Sequence, residues 1–121
     1  MKKTVIIGAT PNESRYAFLA AKMLTSYNHE IVPVGIKQGS VLGHEIKDLR
    51  QKPLIKDVDT VTLYIGPQHQ PEWYSYILDL KPKRIIFNPG TENEEFEQLA
   101  EDKSIEALQA CTLVLLRSGQ Y

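Results

Sequence analysis

An unbroken apolar run that stops at a glycine and passes within a few residues into helical spacing leaves few folds open. Here the run is Thr4-Val5-Ile6-Ile7, the glycine is Gly8, and helical spacing is established by Ser14. A β-branched stretch with no polar alternation reads as a strand buried on both faces. Such a strand turning at once into a helix is the first half of a βα unit. The turn aims main-chain N–H groups and the positive end of a helix dipole at one point, where nucleotide phosphates bind.

The same alternation recurs along the chain. Ala17, Ala20, Ala21 and Leu24 follow helical spacing over residues 14–27, with Phe18 alongside. Thr10-Pro11-Asn12-Glu13 fits a capping box with proline at the first helical position, so the helix starts at Pro11 or, after a turn, at Ser14. Asn28-His29 reads as a turn, and residues 30–34 as a second apolar strand ended by Gly35. Residues 37–57 are polar and irregular, with room for a short helix over 46–51. Residues 60–65 form a third strand closed by Gly66-Pro67, and residues 71–80 a helix carrying Trp73, Ile77 and Leu80. Residues 84–87 form a fourth strand before Asn88-Pro89-Gly90. Residues 92–102 form an acidic helix with Phe96, Leu99 and Ala100 facing in.

The last stretch has two readings. Residues 105–108 are a fifth strand followed by a helix over 112–117, or residues 112–116 are themselves the strand, given the β propensity of Thr-Leu-Val-Leu-Leu. In either case the expected fold is α/β. It is a doubly wound, Rossmann-like open sheet of about five mainly parallel strands with helices on both faces, and one domain over residues 1–121.

Charge excludes some functions. The net charge is −1 across 121 residues, which makes no case for nucleic-acid or membrane binding. Residues 1–60 carry nine Lys/Arg against six Asp/Glu, and residues 61–121 carry five against nine. Most of the acidic excess lies between Glu92 and Glu106, as a solvated helix face. A single cysteine, Cys111, forbids an internal disulfide and suits a reducing, cytoplasmic setting as a structural thiol. The apolar run after Met1-Lys2-Lys3 is too short for a signal peptide or a membrane span.

In open parallel sheets the ligand lies beyond the carboxyl ends of the strands. Four strands end in turns suited to such an edge: Gly8-Ala9-Thr10, Val34-Gly35-Ile36-Lys37, Ile65-Gly66-Pro67 and Asn88-Pro89-Gly90. The first turn lacks the second glycine of the dinucleotide fingerprint G-x-G-x-x-G. The second strand lacks the acidic residue that NAD enzymes place against a ribose, and Lys37 follows it instead. A cation there favours an extra phosphate on the ribose. Arg15 stands in a first helical turn, which the dipole disfavours unless an anion is bound, and Ser14 beside it is suited to capping or to donating to a ligand.

No catalytic constellation emerges. His29, His44 and His69 fall in separate loops, and no metal-ligand spacing, nucleophile elbow or P-loop is present. His69 alone lies near the expected ligand edge. Trp73 is suited more to packing than to base stacking.

The order of these elements resembles the CoA-binding domain family, akin to the N-terminal nucleotide domain of the succinyl-CoA synthetase alpha subunit. The resemblance covers almost the whole chain. It is carried by Val5-Ile6-Ile7-Gly8-Ala9-Thr10-Pro11-Asn12 with Ser14-Arg15-Tyr16, by His29-Glu30-Ile31-Val32-Pro33-Val34, by Val41-Leu42-Gly43 and Val58-Asp59-Thr60-Val61, and by Pro89-Gly90 with Glu92-Asn93-Glu94-Glu95. Many relatives have Val-Asn-Pro where this chain has Val34-Gly35-Ile36.

The resemblance implies that Gly8, Ala9, Thr10, Ser14 and Arg15 hold a diphosphate. It implies that Pro33, Val34 and Lys37 lie near an adenosine, with Lys37 near its phosphate, and that Ile65, Gly66, Asn88, Pro89 and Gly90 complete the groove beside Gly35. The synthetases' phosphohistidine belongs to a second domain, so the implied role is ligand binding rather than synthesis. The expected ligand is coenzyme A or an acyl-CoA, without catalysis by the chain itself; NAD or NADP is the alternative. The competing functions are an NAD(P)(H)-binding regulator or a small acyl-CoA-linked enzyme. A homodimer or a protein partner is left open.

Overall fold

The computed structural model describes residues Met1–Tyr121. In chain order its elements are β1 (Thr4–Ile7), α1 (Tyr16–Ser26), β2 (Ile31–Gly35), β3 (Ser40–Val41), β4 (His44–Glu45), β5 (Lys47–Asp48), β6 (Thr60–Leu63), α2 (Tyr74–Asp79), β7 (Arg84–Phe87), α3 (Glu94–Asp102), β8 (Glu106–Gln109) and α4 (Thr112–Arg117). Six strands form one sheet in the order β5-β2-β1-β6-β7-β8. Every adjacent pair in it is parallel. From β1 the chain works outward through β2 to β5, then crosses to β6 and works outward the other way. The order therefore reverses between β1 and β6, where an open α/β sheet forms its crevice.

Apolar runs become central strands because both faces are covered. Val5, Ile7, Val34, Val61, Leu63, Ile85 and Phe87 pack with Ile77, Phe96 and Ala100 under α2 and α3. Ile6 and Ile31 pack with Ala17, Ala21, Leu24 and Leu116 under α1 and α4. Each large apolar side chain buried in this way contributes about 1.5–3 kcal/mol. Phe87 and Phe96 meet edge to face at 5.5 Å, the orientation aromatic quadrupoles favour.

Pro33 sits in β2 opposite Ile6 without breaking the sheet. Successive strand residues aim their main-chain polar groups to opposite sides. The Val34 carbonyl faces β1, so Pro33 faces outward, where β5 pairs only Val34 and Gly35. The missing N–H is thus on an unpaired edge.

Several expectations shift. The sheet has a sixth strand, β5, whose two residues are too short for any periodicity to mark. The helix expected over 71–80 divides into a 3₁₀ turn, Pro71–Trp73, and α2. The acidic helix begins two residues late because the Asn93 carboxamide caps it, accepting from the Phe96 N–H at 3.1 Å. Leu99 is 37% exposed, while Phe96 and Ala100 face in as expected.

The last stretch resolves as strand then helix. Thr112 is fully buried, its N–H donates to Asn88 Oδ1 at 2.9 Å and its hydroxyl meets that of Thr62. Leu113 and Leu116 are buried whereas Val114 is 57% exposed, a helical and not an alternating pattern. Packing overrides the local β propensity. No helix is long and apolar enough to cross a membrane.

Candidate functional site

The four turns do gather at one edge. They line a cleft of about 1010 Å³ over the carboxyl ends of β1, β2, β6 and β7. That is at the upper end of the range of about 300–1,000 Å³ for small-molecule sites.

Gly8 is the hinge of the crevice. Its φ is +99°, and a Cβ would lie 2.9 Å from the Tyr64 carbonyl group just after β6. A Cβ on Gly35 would lie 2.8 Å from the Ala9 oxygen. The first turn is therefore clasped between the ends of β2 and β6, and only glycine permits both approaches.

This clasp changes the role expected of the turn. The N–H groups of Gly8 and Ala9 both donate to the Val34 carbonyl, at 2.9 and 3.1 Å. They hold β2 and do not point into the cleft. The expected capping box is also absent. The Asn12 N–H donates to Thr10 Oγ1 at 3.1 Å, and Asn12 Oδ1 accepts from the Ser14 N–H and hydroxyl. Two successive side-chain turns of this kind delay the helix to Tyr16. Arg15 is left at the N-cap with no side-chain cap, and no acidic residue stands in the first turn of α1. The N–H groups of Thr10, Tyr16 and Ala17 make no hydrogen bond within the protein. Those three donors are left free at the start of α1, whereas the Gly8 and Ala9 N–H groups are taken by the Val34 carbonyl.

The predicted residues divide. Gly8, Ala9, Thr10, Arg15, Gly35, Lys37, Ile65, Gly66, Pro89 and Gly90 line the cleft. Ser14 does not; it is exposed and tied to Asn12. Pro33 and Val34 are buried within β2, so they support the wall without forming it. Asn88 is buried as well. Its carboxamide donates to Thr62 Oγ1 and the Leu63 carbonyl at 2.7 and 2.8 Å and accepts from the Thr112 N–H. That bracket joins β6, β7 and α4 and leaves nothing for a ligand.

Four lining residues had no distinct sequence signal as part of a site. Arg50 reaches the cleft from a 3₁₀ turn after β5, pairing with Asp48 at 3.0 Å and holding that carboxyl below its usual range. Tyr16 stands 70% exposed beside Arg15. Trp73 packs against the core and also forms cleft wall. Glu72 precedes it. Behind the wall, fully buried Gln70 donates to the Ile65 and Thr91 carbonyls at 3.0 and 2.9 Å and accepts from Asn93 at 2.9 Å. Gln70 fixes the spacing of the loops after β6 and β7. Nothing local to residue 70 announces that role.

Charge along the cleft is uneven. Arg15, Lys37 and Arg50 belong to the segments after β1, β2 and β5. Arg15 and Lys37 make no ion pair. The segments after β6 and β7 supply Ile65, Gly66, His69, Glu72, Trp73 and Thr91, with no lysine or arginine. On that side the Gly90 N–H is already held by the Glu92 carboxylate at 2.8 Å.

Reactive pairs are missing from the cleft. His69 and Cys111 make no hydrogen bond to another side chain, and His29 lies at the other end of the strands with its Nδ1 accepting the Lys2 N–H. Burial pushes the Tyr64 hydroxyl up to about 12, so it stays protonated at neutral pH. No group of three His, Cys, Asp or Glu side chains is placed to hold a metal ion.

A family model described as a CoA binding domain matches residues 2–117. The chain belongs to the CoA-binding domain family. Its structure is similar to a crystal structure of an uncharacterised protein, 57% identical, covering 100% of this chain and 98% of that one with a TM-score of 0.97. It is also similar to a conserved hypothetical protein from Pyrococcus furiosus, 26% identical, covering 94% and 98% with a TM-score of 0.80. A protein from Thermus thermophilus, 21% identical and covering 99% and 90% with a TM-score of 0.85, shares the fold. Among curated proteins, none matches this chain.

Proposed function

We propose that this chain binds coenzyme A or an acyl-CoA in the cleft and performs no chemistry on it. The observation that carries the reading is the polarity of the cleft. Coenzyme A is itself polar along its length, with a diphosphate and a ribose phosphate at one end and an uncharged pantetheine arm at the other. A cleft with three cations on the β1, β2 and β5 side and none on the β6 and β7 side matches that distribution.

The residues present fit the ligand. Arg15 and the free N–H groups of Thr10, Tyr16 and Ala17 would take the diphosphate. Lys37 and Arg50 would take the ribose phosphate. Ile65, Trp73 and the glycines of the later turns would line the pantetheine arm. NAD carries both its phosphates at its centre, between two ribosides, and the acid that would bind its ribose is missing after β2. The absence of an activated nucleophile, general base or metal cluster favours carriage or sensing over catalysis. A soluble, cytoplasmic protein partner that reads the loaded state fits the same view.

Titration calorimetry tests the reading. Coenzyme A is expected to bind saturably, dephospho-CoA and NADH more weakly, and Lys37→Glu to lose most of the affinity. No saturable binding of coenzyme A, or NADH binding more tightly, overturns it.

A further inference from the structure

We propose that the β6 and β7 side of the cleft selects a free thiol or an uncharged acyl group and discriminates against acyl groups that end in a carboxylate. The inference rests on the coenzyme A reading and extends it to the acyl group carried.

Three observations converge. Glu72 is the one carboxylate on the cleft wall, and it lies in the segment after β6, opposite in the sheet order to every cation of the cleft. In the loop after β7, Pro89 has no N–H, and the N–H groups of the other two cleft-lining residues, Gly90 and Thr91, are already taken. The Gly90 N–H is held by the Glu92 carboxylate, and the Thr91 N–H is held by the Asn88 carbonyl. The amide that spans the two loops is likewise committed, since the Gln70 Nε2 donates to both the Ile65 and the Thr91 carbonyls. What remains is Ile65, two ring donors, the Trp73 indole and the His69 imidazole, and the unbonded main-chain N–H groups of Ile65 and Gly66. Such a surface receives a methyl-terminated acyl chain or a thioester carbonyl. A terminal carboxylate placed there meets Glu72 with no lysine or arginine on that side to offset the repulsion.

The test compares butyryl-CoA with succinyl-CoA, which differ at the chain end by a methyl against a carboxylate. Dissociation constants are measured by calorimetry for the full chain and for Glu72→Gln and Glu72→Lys, with coenzyme A as the reference. Butyryl-CoA is expected to bind at least about fivefold more tightly than succinyl-CoA at low ionic strength. Because Glu72 is exposed, that ratio is expected to shrink as salt is added. Glu72→Gln is expected to bring the ratio to within about twofold, and Glu72→Lys to invert it. If coenzyme A binds but the two acyl-CoAs bind equally, or succinyl-CoA more tightly, the selectivity is overturned and the ligand reading stands. A ratio that persists in Glu72→Gln overturns the role of Glu72. If coenzyme A and both acyl-CoAs all fail to bind, the ligand reading falls and the selectivity with it.

Discussion

The two ends of the same parallel strands each hold an arginine, and the two are used in opposite ways. At the carboxyl end Arg15 is exposed, unpaired and next to three idle main-chain donors. At the amino end Arg84 is 8% exposed, and Tyr121 covers it with its ring 4.4 Å from the guanidinium carbon. Arg84 Nε donates to Thr60 Oγ1 at 2.8 Å, while its Nη2 meets no acceptor. The Tyr121 hydroxyl bonds to Thr4, and Lys2 Nζ reaches the Tyr121 main-chain oxygen. Charge alone therefore does not mark a binding site. What separates the two arginines is access combined with idle donors nearby, and only Arg15 has both.

The largest expected effect tests whether the open end is dispensable for folding. Gly8→Val places a branched side chain at a φ of +99° and against the Tyr64 main chain. It is expected to destabilise by about 3 kcal/mol or more, read as a fall in the denaturation midpoint. A neutral outcome would mean that the first turn is a loop and not a clasp.

The sealed end is next. Tyr121→Ala removes the ring over Arg84 and the bond to Thr4. A loss of about 2 kcal/mol is expected by denaturant titration, with ligand affinity unmoved. Ligand affinity falling along with stability would show that the two ends are coupled.

Arg15→Ala is the mirror experiment. Stability is expected to stay within about 0.5 kcal/mol because the side chain is exposed and unpaired. Coenzyme A affinity is expected to fall about tenfold, with a shallower salt dependence. A stability loss without an affinity loss would reverse the contrast between the two arginines.

The smallest effect is a pH dependence at the sealed end. Burial first, then the charges of the amino terminus, Lys2 and Arg84, lower the His29 pKa from 6.5. The unfolded chain thus binds the proton more readily. The contribution of His29 is complete above about pH 6.5 and is lost as pH falls through the lowered folded value. Protonation also removes the Nδ1 acceptor for the Lys2 N–H. Melting profiles are expected to fall modestly on acidification, and His29→Gln to flatten that limb.

Much of this architecture is legible residue by residue. The apolar runs of β1, β2, β6 and β7, the glycine and proline turns that follow them, and the alanine face of α1 are local patterns with local causes. Their repetition requires a parallel sheet, and a parallel sheet brings the four turns to one edge. Arg15 and Lys37 follow from their places beside those turns. Other features depend on what lies across the sheet. Gly8 and Ala9 hold β2 because the Val34 carbonyl, 26 residues from Gly8 in sequence, comes within 2.9 Å of the Gly8 N–H. Asn88 is a bracket because Thr62 and Thr112 arrive on either side of it. Arg50 reaches the cleft wall, and Gln70 braces it from behind, from short turns that carry no periodic signal.

The sequence by itself determined the strand-helix alternation, the glycine-lined edge and a cation beside each of the first two strand ends. Those depend on hydrophobic period and backbone conformation, which neighbouring residues set. Only the tertiary structure decided which main-chain donors stay free, which polar side chains are consumed as brackets, and how charge divides across the crevice. Hydrogen bonds between distant residues settle those questions, and a donor already satisfied by the fold has no capacity left for a ligand.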